Sequence, residues 1–196
     1  EDGSGSAQEQ AAAALANLAR DSADNRVSII DAGGIKPLLA LLSESTQKAK
    51  ENAISALTAL ALGSRDIQNS IAAQGGVPLV AGLMIQCCSN AKEMMASAQL
   101  CSLTADCIAQ LTFGNTDNQA AMADAGVIPA IVAMLGSPHA DMQSKAAGAI
   151  FGLAQGNMDI QGIVARTGAI APLCALIKEG AEEVRSRPPA PPFLSS

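Results

Sequence analysis

Asp24-Asn25-Arg26-Val27-Ser28-Ile29-Ile30-Asp31-Ala32-Gly33-Gly34-Ile35-Lys36-Pro37 decides the fold, because the chain repeats its plan three more times. The glycine is the anchor. Gly33, Gly75, Gly126 and Gly168 are spaced 42, 51 and 42 residues apart. Nine residues before each stands Asp24, Asp66, Asp117 or Asp159. Fifteen before stands Leu18, Leu60, Leu111 or Leu153, and eighteen before stands Leu15, Leu57, Ile108 or Ile150. Three or four residues after comes Pro37, Pro78, Pro129 or Pro172. A period near 42 residues with this content marks a helical solenoid. Such arrays offer long surfaces to partners rather than pockets for chemistry.

Each unit follows one local grammar. Ser22, Ser64, Asn115 and Asn157 are the residue types that cap helix N-termini, because their side-chain oxygens accept a free backbone N–H. The aspartates follow in the first turn, where a carboxylate suits the positive helix end. Ile29, Ile71, Met122 and Val164 occupy one equivalent apolar position on this short helix. Gly75-Gly76 can end it in a left-handed C-cap. Pro78 then opens a second helix of medium length, where its missing N–H costs nothing. A polar break precedes a third, longer helix. There Ile54, Leu57, Leu60 and Ala61 recur at helical spacing, as do Ile150, Leu153 and Ala154. No unit buries its apolar face alone, so stacking supplies the core.

Ala14-Leu15-Ala16-Asn17-Leu18-Ala19, Asp24-Asn25, Ile29, Ala32-Gly33-Gly34-Ile35 and Pro37 together resemble an armadillo repeat. Asp124-Ala125-Gly126-Val127-Ile128-Pro129 resembles its turn again. The resemblance covers residues 7–184, and its wording is similar to vacuolar armadillo proteins and to plant armadillo-repeat-only or U-box-associated arrays. It implies an all-α, right-handed α-solenoid of three-helix repeats, with HEAT-like repeats as the alternative. Units fall at residues 22–63, 64–114 and 115–156, with partial units at 7–21 and 157–187. The first partial unit reads as a third helix from Gln8 to Arg20. The last reads as a third helix from Ala181 to Arg187, cut short by Pro188. Residues 1–6 form a flexible lead and residues 188–196 a proline-rich tail.

Composition narrows the function. The chain has no Trp or Tyr and three Phe, so its core is aliphatic. A net charge of −6 argues against duplex nucleic acid, which needs a basic stripe. No run of 18 apolar residues occurs, so no direct membrane insertion is expected. The five cysteines fit reduced, mostly buried thiols, which points to the cytoplasm or nucleus. His139, the one histidine, lies in a Gly-Ser-Pro turn away from any nucleophile pairing. Phosphate-loop and dinucleotide glycine patterns are missing. The repeated aspartates start helices and are not a paired acid and base. No enzyme activity, metal or cofactor is expected.

The resemblance implies a concave groove lined by third helices, with an asparagine ladder sixteen residues before each anchor glycine. Those positions hold Asn17, Ala59, Gln110 and Gly152. Tryptophan shelves are expected one turn earlier, where Ala13, Ser55, Asp106 and Gly148 stand. The mode that grips basic nuclear-localisation peptides is therefore not supported. The candidate groove residues are Asn17, Arg20, Asn52, Ser55, Asp106, Gln110, Phe113, Lys145 and Gln155. They describe a neutral, shallow groove floored by small residues. Ala59, Gly148 and Gly152 also suit tight helix packing.

The 64–114 unit is nine residues longer than its neighbours, between Met84 and Leu103. An extended third helix or a longer loop is expected there. Insertions in repeats map to one face, often the binding face. Met94, Met95 and Leu100 are candidate contacts, as methionines adapt to varied partners. In the tail, Arg185-x-x-Pro188-x-x-Pro191 has the spacing of an SH3 ligand or marks a linker. The expected function is a non-catalytic scaffold that docks a protein or peptide partner as part of a larger chain or complex. The substrate-binding half of a ubiquitin ligase and a purely architectural spacer are the alternatives.

Overall fold

Each unit begins at a capped turn. Ser22 Oγ accepts from the Asn25 N–H at 3.2 Å and Ser64 Oγ from the Ile67 N–H at 3.4 Å. Asn115 Oδ1 accepts from the Asn118 N–H and Asn157 Oδ1 from the Ile160 N–H, both at 3.2 Å. The computed structural model describes residues 3–43 and 45–186. α1 spans Gly3–Arg20, α2 Ala23–Asp31, α3 Ile35–Leu41, α4 Gln47–Ala61, α5 Arg65–Ala73 and α6 Gly76–Cys87. α7 spans Ala91–Ala96, α8 Ala98–Thr112, α9 Thr116–Asp124 and α10 Ile128–Met134. α11 spans Ala140–Ala154, α12 Met158–Arg166 and α13 Ile170–Ser186. No strand occurs among the described residues.

The anchor glycines turn the first helix into the second. Gly75 has φ +86°, a left-handed conformation that a Cβ would penalise, and Gly33, Gly126 and Gly168 share it. α5 and α6 meet there at 80°. The second helices α3 and α10 have 7 residues and the first helices α2 and α9 have 9, so the expected medium helix is the shortest in two units.

The third helices stack side by side, with α4 between α1 and α8, and α8 between α4 and α11. Leu57, Leu60, Ile108, Leu111 and Leu153 are sealed inside this stack. The equivalent Leu18, on α1, is 53% exposed. Packing is closest between α8 and α11. A Cβ added at Gly152 would lie 2.8 Å from the Ala109 carbonyl oxygen and 2.9 Å from Thr112 Oγ1. A Cβ at Gly148 would meet nothing within 4 Å. Of the two glycines read as packing residues, only Gly152 does that work. Gly152→Ala is expected to lower the unfolding free energy by about 1–3 kcal/mol through overpacking against backbone. Gly148→Ala is expected to raise it by about 0.5–1 kcal/mol through helix propensity. Urea titrations of the two variants check this opposition of sign.

Several segments differ from expectation. α1 begins at Gly3, inside the expected flexible lead: no proline interrupts Gly3–Gln10, the weak formers Gly3 and Gly5 fall at its very start, and alanines follow. α13 runs unbroken from the second-helix position through Ala181, so no separate third helix begins there. The stretch Ala175–Glu183 offers neither a capping Ser, Asn or Asp nor a proline to divide it. Arg187 and the tail at 188–196, with most of its SH3-like spacing, lie outside the described residues.

The nine extra residues neither lengthen the third helix nor form a long loop. α8 has 15 residues, like α4 and α11. Instead α6 extends to 12 residues and a new helix, α7, follows. Asn90 makes this possible, since its Oδ1 accepts from the Glu93 N–H at 3.0 Å and caps α7.

Candidate functional site

The end of α1 and the middle and C-terminal parts of α4 and α8 leave a cleft of about 290 Å³ between them. Arg20, Ser55, Asp106 and Gln110 line it together with Thr58, Ala59, Leu62 and Leu103. Four of the sequence-predicted groove residues thus converge on one concavity. Its walls are mixed. Leu62 and Leu103 supply apolar surface, while Ser55, Thr58 and Gln110 supply hydrogen-bonding groups. Ser55 Oγ donates to the Glu51 carbonyl at 2.8 Å, which leaves its lone pairs for another donor.

Beside the cleft the surface turns aromatic. Phe113, at the end of α8, and Phe151, on α11, pair with ring centroids 6.1 Å apart and planes tilted by 36°. They are 50% and 59% exposed, and Leu62 beyond them is 42% exposed. Leu62, Phe113 and Phe151 make an apolar row across three adjacent third helices. Lys145 Nζ on α11 reaches Asp106 Oδ2 on α8 at 3.2 Å. Both groups are about one third exposed, so this pair orders the groove wall more than it stabilises the fold. Gly148, open above, leaves room there for an approaching backbone.

The remaining predicted residues divide. Asn17 and Gln155 stand exposed on the same face. Asn52 is committed elsewhere, because its Nδ2 donates to the Glu9 carbonyl at 2.9 Å and ties α4 to α1. Leu100 is 5% exposed and belongs to the core, so it is no surface contact. Met94 is half-buried and packed against that core, and only Met95 faces out. Their spacing put all three on one insertion, but Leu100 falls on the buried face of α8 and α7 turns Met94 inward. Met94→Glu is expected to cost about 1–3 kcal/mol of stability, and Met95→Glu less than about 0.5 kcal/mol. Paired thermal melts distinguish the two.

Sequence reasoning missed Phe151, which lies one residue before the ladder position and out of register with Phe113. It also missed a buried polar clasp behind the groove. Gln119 Nε2 donates to the carbonyls of Gly152 at 2.9 Å, Gln155 at 3.0 Å and Thr112 at 3.2 Å. Gln119 Oε1 accepts from Asn157 Nδ2 at 3.2 Å. One repeat earlier, Gln68 Nε2 donates to the Gln110 carbonyl at 2.8 Å and the Phe113 carbonyl at 3.3 Å, while Asn115 Nδ2 donates to Gln68 Oε1 at 3.1 Å. Each glutamine thus holds the free carbonyls at the end of the next third helix. The signal was present: Arg26, Gln68, Gln119 and Gln161 all stand seven residues before an anchor glycine.

Among the described residues, no group of His, Cys, Asp and Glu is arranged to hold a metal ion. No single helix among them is long and apolar enough to cross a membrane. Residues 22–61 and 115–154 match the Armadillo/beta-catenin-like repeat. Comparison with curated proteins gives no significant match. Among solved structures, one engineered protein is 26% identical, with a TM-score of 0.80 over 90% of this chain and 69% of that chain. A second is 25% identical, with a TM-score of 0.81 over 93% of this chain and 70% of that one. A designed armadillo repeat protein in complex with the peptide (KR)4 is 22% identical, with a TM-score of 0.76 over 86% of this chain and 67% of that one. The architecture is an armadillo-type solenoid and not the HEAT-like alternative.

Proposed function

We propose, for a chain whose residues 22–61 and 115–154 match the Armadillo/beta-catenin-like repeat, that it is a non-catalytic adaptor holding an extended segment of a partner protein. The observation that carries this reading is the convergence of Arg20, Ser55 and Gln110 on one cleft, continued by the exposed row Leu62, Phe113 and Phe151. Polar groups in the cleft meet a peptide backbone, and the apolar row takes its side chains. The designed relative carries a basic peptide. Here Asp106 is already engaged by Lys145, so a peptide rich in lysine and arginine would have to displace that pair. The groove favours segments with aliphatic or aromatic side chains instead.

The adaptor works in the cytoplasm or nucleus in this reading, which rests on five thiols that are all free. The net charge of −6 favours protein over nucleic acid as the partner. The branch similar to vacuolar and plant arrays rests on the repeat wording alone, and no feature of the groove favours a ligase role. A displayed library of random twelve-residue peptides, panned against the whole chain, tests the proposal. Enriched peptides carrying apolar side chains and slowing amide exchange in α4, α8 and α11 support it. An absence of enrichment, or protection confined to α2, α5 and α9, leaves the spacer reading in its place.

A further inference from the structure

Positions that are buried in every other third helix stand open on α1. Leu18 is half exposed, while its counterparts Leu60, Leu111 and Leu153 are fully buried. Ala14 is exposed, while Ala56, Cys107 and Ala149 are fully buried. Ala11 is exposed where Ala53, Thr104 and Ala146 are sealed, and Leu15 is half-buried where Leu57 and Ile108 are sealed. The open face is hollow. Cavities of about 380 and 370 Å³ run along it, the first lined by Leu15, Pro37 and Leu41 and the second by Leu15, Leu18 and Ile29. Between them they touch α1, α2 and α3. Inside the stack, α6 packs against α8, α9 and α10, the counterparts of α1, α2 and α3. The hollow is therefore the seat of a second helix.

A second helix with an open apolar face stands at the other end of the solenoid. α13 begins in the second-helix position, and no third helix of its unit follows among the described residues. Elsewhere the second helix packs on the third helix of its own unit, α3 on α4, α6 on α8 and α10 on α11. Ile170 and Ile177 on α13 are 59% and 73% exposed. The counterparts of Ile170 are Ile35, Val77 and Ile128, and those of Ile177 are Leu42, Met84 and Leu135, all buried. One end thus shows a first and second helix open to a third, and the other shows a third helix open to a second.

We propose that copies of this chain join head to tail, the α12–α13 pair of one seating on the α1–α3 face of the next. One complete unit then forms across the junction, with its first two helices from one copy and its third from the other. Ile170 and Ile177 lie against Leu15 and Leu18, and both apolar faces leave water together. The two faces are different surfaces, so the contact is heterologous and open-ended, and each added copy offers a fresh face for another. Neither cavity includes Arg20, Ser55 or Gln110, so this junction and the peptide cleft are separate surfaces.

Sedimentation of the whole chain over about two decades of concentration, up to roughly 0.1 mM, tests this in the range where a weak specific contact is populated. The weight-average mass is expected to climb with concentration past that of two copies. Leu18→Glu blocks one face and Ile177→Glu the other, both at surface positions where a charge spares the fold. Each variant alone is expected to stay monomeric. An equimolar mixture is expected to form dimers and stop there, because only the intact α13 of the first variant and the intact α1 of the second can meet. If two α1 faces paired with each other, Ile177→Glu alone would still dimerise. If two α13 faces paired, Leu18→Glu alone would do so, and either pattern overturns the proposal. A wild-type chain that stays monomeric throughout also overturns it and leaves the hollow to a different occupant. The wild-type series decides that point even where a variant fails to fold.

Discussion

Gln119→Leu lowers the unfolding free energy by about 3 kcal/mol, the largest expected loss for a change that keeps side-chain volume. Gln119 is fully buried, so water cannot replace what it provides. Leucine would leave the carbonyls of Thr112, Gly152 and Gln155 without their side-chain donor, and the Asn157 amide without its acceptor. Each unmet buried group costs about 1–3 kcal/mol, offset in part by relaxation of the helix ends and by leucine's apolar transfer. Gln161→Leu is the matched control, because Gln161 is exposed and donates only to the Ala154 carbonyl at the end of the adjoining α11. It is expected to change stability by less than about 0.5 kcal/mol. Urea unfolding of both variants reads the difference. Equal losses would mean that the clasp carries no inter-repeat stability.

Gln110→Arg combined with Phe113→Glu weakens binding of a groove peptide by about thirtyfold or more, equivalent to about 2 kcal/mol. Phe113 is half exposed, so the glutamate lands on the surface where the apolar row should meet a partner. The arginine brings bulk and charge into a cleft that already holds Arg20. Stability should fall by no more than the loss of one exposed aromatic pair. Gln68 holds the carbonyl of Gln110, and the side chain is free to vary. Loss of the Phe113–Phe151 pair costs about 0.5–1.5 kcal/mol. Titrating one enriched peptide against wild type and variant by calorimetry checks the expectation. Unchanged affinity at unchanged melting temperature moves the site off the third helices.

The solenoid was legible because its instructions are local. Anchor glycine, cap, first-turn aspartate and following proline lie within one short stretch, and each acts on its own neighbours. The caps Ser22, Ser64, Asn115 and Asn157 all form as read. The clasp was not legible for the opposite reason. Gln68 and Gln110 are 42 residues apart, and nothing in a lone glutamine says that it will be buried against the end of a helix so distant in sequence. Leu100 and Met94 failed likewise, since spacing placed them on the insertion but could not say that Leu100 would join the buried face of α8 or that Met94 lies on the inward side of α7. Arg20, Ser55 and Gln110 entered the candidate groove through the resemblance, and the stacking of α1, α4 and α8 brings their side chains to one cleft.

The clasp also gives the array an uneven compliance. Between the 7–21 partial unit and the α2–α4 unit, Arg26 stands where the glutamines stand and Ser64 where the asparagines stand. Arg26 Nη1 turns back to the carbonyls of Ala19 at 2.9 Å and Arg20 at 3.2 Å. The opposite ends of α1 and α4 remain tied by Asn52 and by the Thr46–Glu9 side-chain contact. That joint is pinned at one end and unlatched at the other, while the two later joints are latched by glutamine. Arg20 sits on the unlatched side, and Ser55, Asp106 and Gln110 face it. Flexing at this joint is expected to open and narrow the cleft mouth, so that the width offered to a peptide follows the softest joint in the stack.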